Sequence, residues 1–357
     1  MIDRNDLLHR FRGMFWGLVV GDCLGSPIQF SDKDQHPHIT EMVACPIFNT
    51  PPGYWTDDSS MAFCIAHSVT WCGRYNLQDI ADTFVRWYRS GFMSSLPHAF
   101  DVGHATQEAI YAIENGSLSN GFEDSQGNGS IMRLAPSYIL NYDNPVHTIL
   151  HEVSDLTHNS EKVRETVDLM AAVLDEHMHG CRTSVQSIYK TRDEVDNSGW
   201  AVSTLQAALW AFQSTETLED GMIEAVNLGG DSDSIGAVYG QIAGAYYGFE
   251  AIPVRWLSAI KDHEKVSELI ESFLKVAKRY NWVYRRTKYA LEHFGEGDEA
   301  FKMLYEMDAD TRLHDGEWER SEDKRLLRES VEKMKTGGKD PSSIYSKEFL
   351  DKLFNEK

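Results

Sequence analysis

From residue 234 to residue 249 the chain reads Ser-Ile-Gly-Ala-Val-Tyr-Gly-Gln-Ile-Ala-Gly-Ala-Tyr-Tyr-Gly-Phe, with glycine at every fourth position: Gly236, Gly240, Gly244 and Gly248. Ile235, Ala237, Val238, Ile242, Ala243, Ala245 and Tyr246 occupy most of the remaining positions. A helix built from this segment is small and apolar around most of its circumference, which marks a buried helix rather than an amphipathic surface one. Each interior glycine costs roughly 1 kcal/mol relative to alanine. An ordinary surface helix does not tolerate four of them, but a central helix that neighbouring backbones approach closely does. The segment is expected to be such a helix, starting at Asp231 and Asp233. Gly17-x-x-x-Gly21, followed by Asp22-Cys23-Leu24-Gly25-Ser26, carries the same spacing near the N-terminus.

Helical periodicity dominates elsewhere. Val163, Val167, Met170, Val173, Leu174 and Met178 form one stripe over 161–178; Val266, Leu269, Ile270, Phe273, Leu274 and Ala277 form another over 264–278. Similar stripes cover 77–90 and 200–212, and core packing accounts for all four. Strand signals are confined to 39–48. Turn chemistry clusters at Pro51-Pro52-Gly53, Asn115-Gly116, Asn120-Gly121 and Gly127-Asn128-Gly129. Beyond about residue 281 the chain becomes charge-rich, with helices expected near 319–335 and 346–354. The expected division is a helical domain over 1–280 and a C-terminal helical extension over 281–357, packed on the core or partly mobile.

A formal charge of −21 argues against a nucleic-acid backbone as partner, because that contact relies on clustered Lys and Arg. The five cysteines form no C-x-x-C pair, and their odd number points to a reducing cytosol. The first residues lack a signal-peptide core, and no apolar run approaches the ~18 residues that span a bilayer. A cytoplasmic protein without membrane contact is the expectation.

Two remote acidic stretches carry the chemistry: Thr56-Asp57-Asp58, and Asp231-Ser232-Asp233-Ser234 after Gly229-Gly230. Their carboxylates and hydroxyls are hard oxygen ligands suited to Mg²⁺, Mn²⁺ or Ca²⁺. Neither stretch has a basic residue within three positions. Brought together, they require a cation, since close carboxylates repel strongly in a low dielectric. An EF-hand is excluded, because Ile242 stands where the bidentate Glu belongs. Taken singly, each stretch also reads as ordinary helix capping. A third element, Gly127-Asn128-Gly129-Ser130-Ile131-Met132-Arg133, is a glycine-rich turn into a helix. Its backbone N–H groups suit phosphate, with Arg133 as a neighbour for the charge; a plain tight turn is the competing reading.

Together these residues resemble the ADP-ribosylglycohydrolase family. The matching pieces are G-D-C-L-G-S at 21–26, T-D-D-S at 56–59, G-N-G-S-I-M-R at 127–133, T-H at 157–158 and G-G-D-S-D-S-I-G-A at 229–237. The resemblance spans roughly 13–278 and implies an all-α, compact orthogonal multi-helix bundle with a central binuclear metal cleft. It implies two Mg²⁺ (or Mn²⁺) held by Thr56, Asp57, Asp58, Asp231, Asp233 and Ser234. It also implies substrate contacts from Asp101, Gly127, Asn128, Gly129, Ser130, Met132, Arg133 and His158. Gln29 stands where many members carry a Glu that contacts metal or ribose, and an amide cannot act as a base.

The leading expectation is a Mg²⁺-dependent hydrolase that cleaves the C1″ bond of ADP-ribose to an acceptor. That acceptor is an ADP-ribosylated protein, with arginine favoured, or a small ADP-ribose conjugate. Asp57, Asp58, Asp231 and Asp233 are its catalytic carboxylates, with Asp231 or Asp57 as base. A catalytically weakened binding or structural protein of the same fold and a metal-dependent phosphohydrolase are the alternatives. Loops 31–50 and 90–100 are expected to build the acceptor pocket, and Phe92, Met93, His98 and Phe100 of the latter suggest an apolar lip.

Overall fold

The computed structural model describes residues 4–142 and 147–294, with side chains described over 6–142 and 147–280. Twelve α-helices occupy these residues in chain order: α1 Arg4–Gly25, α2 Asp57–Cys72, α3 Leu77–Ser90, α4 His104–Glu114, α5 Leu134–Asn141, α6 Thr148–Asp155, α7 Glu161–Met178, α8 Ala201–Ser214, α9 Leu218–Val226, α10 Ser232–Tyr247, α11 Val254–Ala259 and α12 His263–Phe294. Among the described residues there is no strand and no helix long and apolar enough to cross a membrane. All five cysteines are free. The architecture is all-α, as expected, and residues through Lys278 form one compact unit. The helices expected near 319–335 and 346–354, and most of the extension over 281–357, lie outside the described residues.

Helices α1 and α10 form the antiparallel centre of this unit. A Cβ on Gly13 would stand 2.4 Å from the Gly244 carbonyl oxygen; on Gly17, 2.1 Å from that of Gly240; on Gly21, 2.0 Å from that of Gly236; and on Gly25, 2.2 Å from that of Ser232. Stepping by four along both chains, these contacts bring backbone against backbone where any side chain would separate the helices. Gly248 does not belong to the helix: with φ of 81° it ends α10, leaving three interior glycines. The other helices bury the predicted stripes and carry local caps. Ser160 accepts from the Val163 N–H at the start of α7, and Asn76 accepts from that of Asp79 at the start of α3.

The strand expected over 39–48 does not form. The segment contains only an isolated bridge in which Cys45 and Thr50 exchange N–H···O bonds of 2.9 and 3.1 Å around a turn. With no neighbouring strand, Ile39 satisfies its backbone on a side chain instead: its N–H donates to Asn227 Oδ1 (2.8 Å) and its carbonyl accepts from Asn227 Nδ2 (2.7 Å). Apolar residues there are buried under the loop without joining a ladder.

Gln241, the polar residue inside α10, is fully buried and fixes the glycine-rich loop. Its Oε1 accepts from the Ala135 N–H (2.7 Å), and its Nε2 donates to the carbonyls of Ile131 (3.0 Å) and Met132 (2.9 Å). One side chain of the central helix therefore sets the position of residues 131–135.

Candidate active site

The N-termini of α2 and α10 meet at one cavity of about 350 Å³. Asp57 and Asp58 occupy the first turn of α2; Asp231 is the N-cap of α10, and Asp233 lies in its first turn. All four line the cavity with Ser234, so the two remote stretches do converge. Gly229 and Gly230 make the approach possible at φ of 67° and 61°. Their loop is clamped by the Gly230 N–H donating to Ser31 O (2.8 Å), the Phe30 N–H donating to Gly230 O (2.6 Å) and the Asp231 N–H donating to Asn197 O (2.9 Å).

Asp22, fully buried on α1, caps α2 from outside that helix. Its Oδ1 accepts from the Thr56 N–H (2.9 Å) and Thr56 Oγ1 (2.9 Å); its Oδ2 accepts from the Ser59 N–H (3.0 Å) and Ser59 Oγ (2.5 Å). Asp22 is thus a hydrogen-bonded support for the start of α2. Thr56 belongs to this supporting layer and does not line the cavity.

Asp101 enters from the turn before α4 at φ of 57°, a left-handed conformation for a non-glycine residue. Gln29 Nε2 donates to Asp101 Oδ2 at 2.8 Å. Asn128 Nδ2 donates to Asp231 Oδ2 at 2.5 Å and to Thr204 Oγ1 at 3.0 Å, tying the glycine-rich loop to the start of α10. Gly127, Gly129 and Met132 line the cavity beside His158. A Cβ on Gly129 would meet His158 Cε1 at 2.5 Å, so the imidazole occupies the space a larger residue would need. The His158 Nδ1 pairs with Thr157 Oγ1 (2.7 Å), and burial lowers its pKa to about 3, which keeps the ring neutral.

Ser130 and Arg133 do not reach the cavity. Ser130 Oγ shares a hydrogen bond with Ser154 Oγ (2.7 Å). The Arg133 guanidinium is buried, donates to Thr157 Oγ1 (2.7 Å) and lies 4.9 Å from the centroid of the Phe84 ring. It faces away from any ligand in the cavity and supplies a fixed positive charge behind Asp57 and Asp58. Sequence adjacency to the glycine turn could not reveal that direction. Nor do Phe92, Met93, His98 and Phe100 line the cavity: Phe100 packs on Phe48 (5.0 Å between centroids), and Phe92 carries the Arg86 guanidinium at 3.6 Å. The wall comes instead from Phe30, Val102, Gly103, His104, Ala105, Thr106 and Gly199. A Cβ on Gly199 would stand 2.9 Å from Asp231 Oδ2. No spacing rule connects Gly199 with Asp231, and only the fold brings them together.

The electrostatics follow from the packing. Burial first, then mutual repulsion, raises the pKa of Asp57, Asp58 and Asp233 well above the ordinary carboxylate range. Burial also raises Asp231, against hydrogen bonds from Asn128 and Asp233, and raises Asp101 to about 6, against hydrogen bonds from Gln29 and Asp233. Asp233 thus lies within hydrogen-bonding reach of both Asp101 and Asp231. The Oδ1 atoms of Asp58 and Asp233 are buried without any hydrogen-bond partner. Five carboxylates line the cavity with no Lys or Arg among them. Orphaned buried oxygens on both converging segments fit hard divalent cations.

Residues 3–282 match the family described as ADP-ribosylglycohydrolase. The chain is 32% identical over 301 residues to an ADP-ribosylarginine hydrolase of Serratia proteamaculans, covering 78% of this chain and 82% of that protein. It is 28% identical over 292 residues to the ADP-ribosyl-[dinitrogen reductase] glycohydrolase of Rhodospirillum rubrum, covering 75% and 96%. A solved structure titled "ADP-ribosylglycohydrolase-related protein complex" superposes with a TM-score of 0.67 at 34% identity, covering 76% of this chain and 99% of that one.

Proposed function

The chain belongs to the ADP-ribosylglycohydrolase family, and from that membership we propose that it hydrolyses the C1″ bond joining ADP-ribose to an arginine side chain of a modified protein. The observation that carries the reading is the convergence of Asp57, Asp58, Asp231 and Asp233 in one cavity with two buried carboxylate oxygens unpartnered. The relative from Serratia proteamaculans, named an ADP-ribosylarginine hydrolase, supports arginine as acceptor. So does charge, since an acidic lining without Lys or Arg suits a guanidinium.

Asp57, Asp58, Asp231, Asp233 and Ser234 are the residues that would hold two Mg²⁺ (or Mn²⁺), and Thr56 supports the start of α2 behind them. Such ions supply Lewis acidity toward ribose hydroxyls and lower the pKa of water. The chain's own groups do the rest. Asn128 orients Asp231 and favours its ionised form, whereas the neighbours of Asp57 disfavour ionisation there. Asp231, held in the cavity wall by Asn128, is assigned as the base for the attacking water. As the C1″–N bond lengthens, positive charge grows on the ribose, and the surrounding carboxylates stabilise it. Water adds at C1″, its proton passes by way of Asp231 to the departing guanidine nitrogen, and the products are ADP-ribose and arginine. Gln29 serves as a donor that holds Asp101 toward the ribose. The neutral His158 and the backbone of 127–129 form the wall for the rest of the nucleotide.

Chromatography of the products from an ADP-ribosylated arginine peptide, with and without Mg²⁺, tests the proposal. Intact ADP-ribose released only with the metal is the expected result. Release of AMP or phosphate would show a phosphohydrolase instead. Calorimetric binding of ADP-ribose without any product would show a binding protein.

A further inference from the structure

Away from the carboxylate cavity, α6 and α7 form an antiparallel hairpin whose open end carries two histidines and an aspartate. His147 precedes α6, His151 lies one turn later on the same face, and Asp168 projects from α7. The Nδ1 of His147 is 2.6 Å and the Nε2 of His151 is 2.8 Å from the same oxygen, Asp168 Oδ1. All three ligand atoms lie within 4.8 Å of one another. Side-chain exposures of 22%, 33% and 47% leave the cluster open to an ion and to a water completing its shell.

We propose that His147, His151 and Asp168 bind a single Zn²⁺ ion that clasps the open end of the α6–α7 hairpin. Two imidazole nitrogens and one carboxylate oxygen form a borderline donor set that suits zinc, in contrast to the all-oxygen set of the cavity. Zinc bonds of about 2.0–2.2 Å in a tetrahedron place neighbouring ligands about 3.3 Å apart. The present N···O separations of 2.6 and 2.8 Å need to open by about 0.5–0.7 Å to admit the ion. His147 coordinates through Nδ1, carrying its proton on Nε2, and His151 coordinates through Nε2, carrying its proton on Nδ1. The closed end of the same hairpin is already fastened by Arg164, whose Nε donates to Asp155 Oδ1 at 2.9 Å. The intervening loop carries Thr157, which receives Arg133, and His158, which lines the cavity. A metal at the open end therefore ties both helices that deliver this wall.

The test uses the full chain stripped with EDTA, returned to excess Mg²⁺ to meet the cavity's demand for hard cations, and titrated with Zn²⁺ against a chromophoric chelator. Wild-type protein is expected to take up one Zn²⁺ that His151→Ala and Asp168→Asn each weaken by at least about tenfold. Asp168→Asn keeps a hydrogen-bond acceptor for both imidazoles, and circular dichroism confirms that each variant is folded. Equal uptake by wild type and folded variants, or no uptake by wild type, overturns the proposal.

Discussion

Asp58 and Asp233 each keep a buried oxygen that no protein donor reaches, although they stand 175 positions apart in the chain. Removing one negative charge from that group while keeping its shape separates chemistry from folding. Asp57→Asn and Asp231→Asn are each expected to lower turnover by at least about 10²-fold, the scale of general acid–base catalysis, with an unchanged circular dichroism spectrum. Full activity in either variant contradicts the assigned roles. His177 offers a residue-scale test unrelated to catalysis. It is fully buried against Phe212 and Tyr246, pairs its Nδ1 with Ile242 O at 2.9 Å, and burial lowers its pKa from the ordinary 6.5 to about 4. A depressed histidine pKa contributes stability that is present above about pH 6.5 and lost as pH falls toward about 4, because the unfolded chain takes up the proton first. The loss is on the order of 3 kcal/mol. Urea unfolding at several pH values should show a shallower acid limb for His177→Gln. At this scale the sequence named the carboxylates, Gln29, Asn128 and His158, because short polar runs beside glycine turns have few structural uses. It could not aim Arg133, whose long side chain turns inward under Phe84, nor find Gly199, whose importance is an absent Cβ beside Asp231.

Helix α10 owes its position to α1, and the four-residue ladder between them is the part of the fold most sensitive to one added carbon. A Cβ on Gly240 would stand 1.9 Å from the Gly17 carbonyl oxygen, an atom that moves only if the helix moves. Gly240→Ala is expected to destabilise by about 1–3 kcal/mol through overpacking, which outweighs the roughly 1 kcal/mol that alanine gains in helix propensity. Gly103→Ala is the control: nothing lies within 4 Å of its Cβ, so the unfolding free energy from urea titration should change by less than about 0.5 kcal/mol. Equal midpoints for the two variants would refute close backbone contact. The spans of α3 and α7 were legible because apolar periodicity and a capping residue agree there, and those of α8 and α10 from their apolar residues alone. The segment 39–48 misled because its apolar residues fill a loop whose backbone is satisfied by Asn227, a partner 188 positions away. Gly248 misled because the fourfold spacing continues one step past the end of α10.

Across the whole molecule, a cavity that gathers buried carboxylates destabilises the fold as they ionise. Asp22 and Asp101 have pKa values raised to about 6, by burial first. A raised carboxylate pKa gives stability that is complete below about pH 4 and lost as pH rises through about 6. Cation-free protein should therefore melt at progressively lower temperature from about pH 4 to about pH 6, and Mg²⁺ should restore more at pH 8 than at pH 4. A melt indifferent to EDTA at pH 8 would contradict that balance. The family and the helical architecture were readable from five short motifs in order, while the loops that complete the cavity wall depend on contacts no local pattern records. The most direct test is anomalous scattering from crystals grown with Mn²⁺. Anomalous density is expected among the carboxylates of Asp57, Asp58, Asp231 and Asp233; Mn²⁺ bound only elsewhere, with that cluster free of density, would contradict a metal-holding role for them.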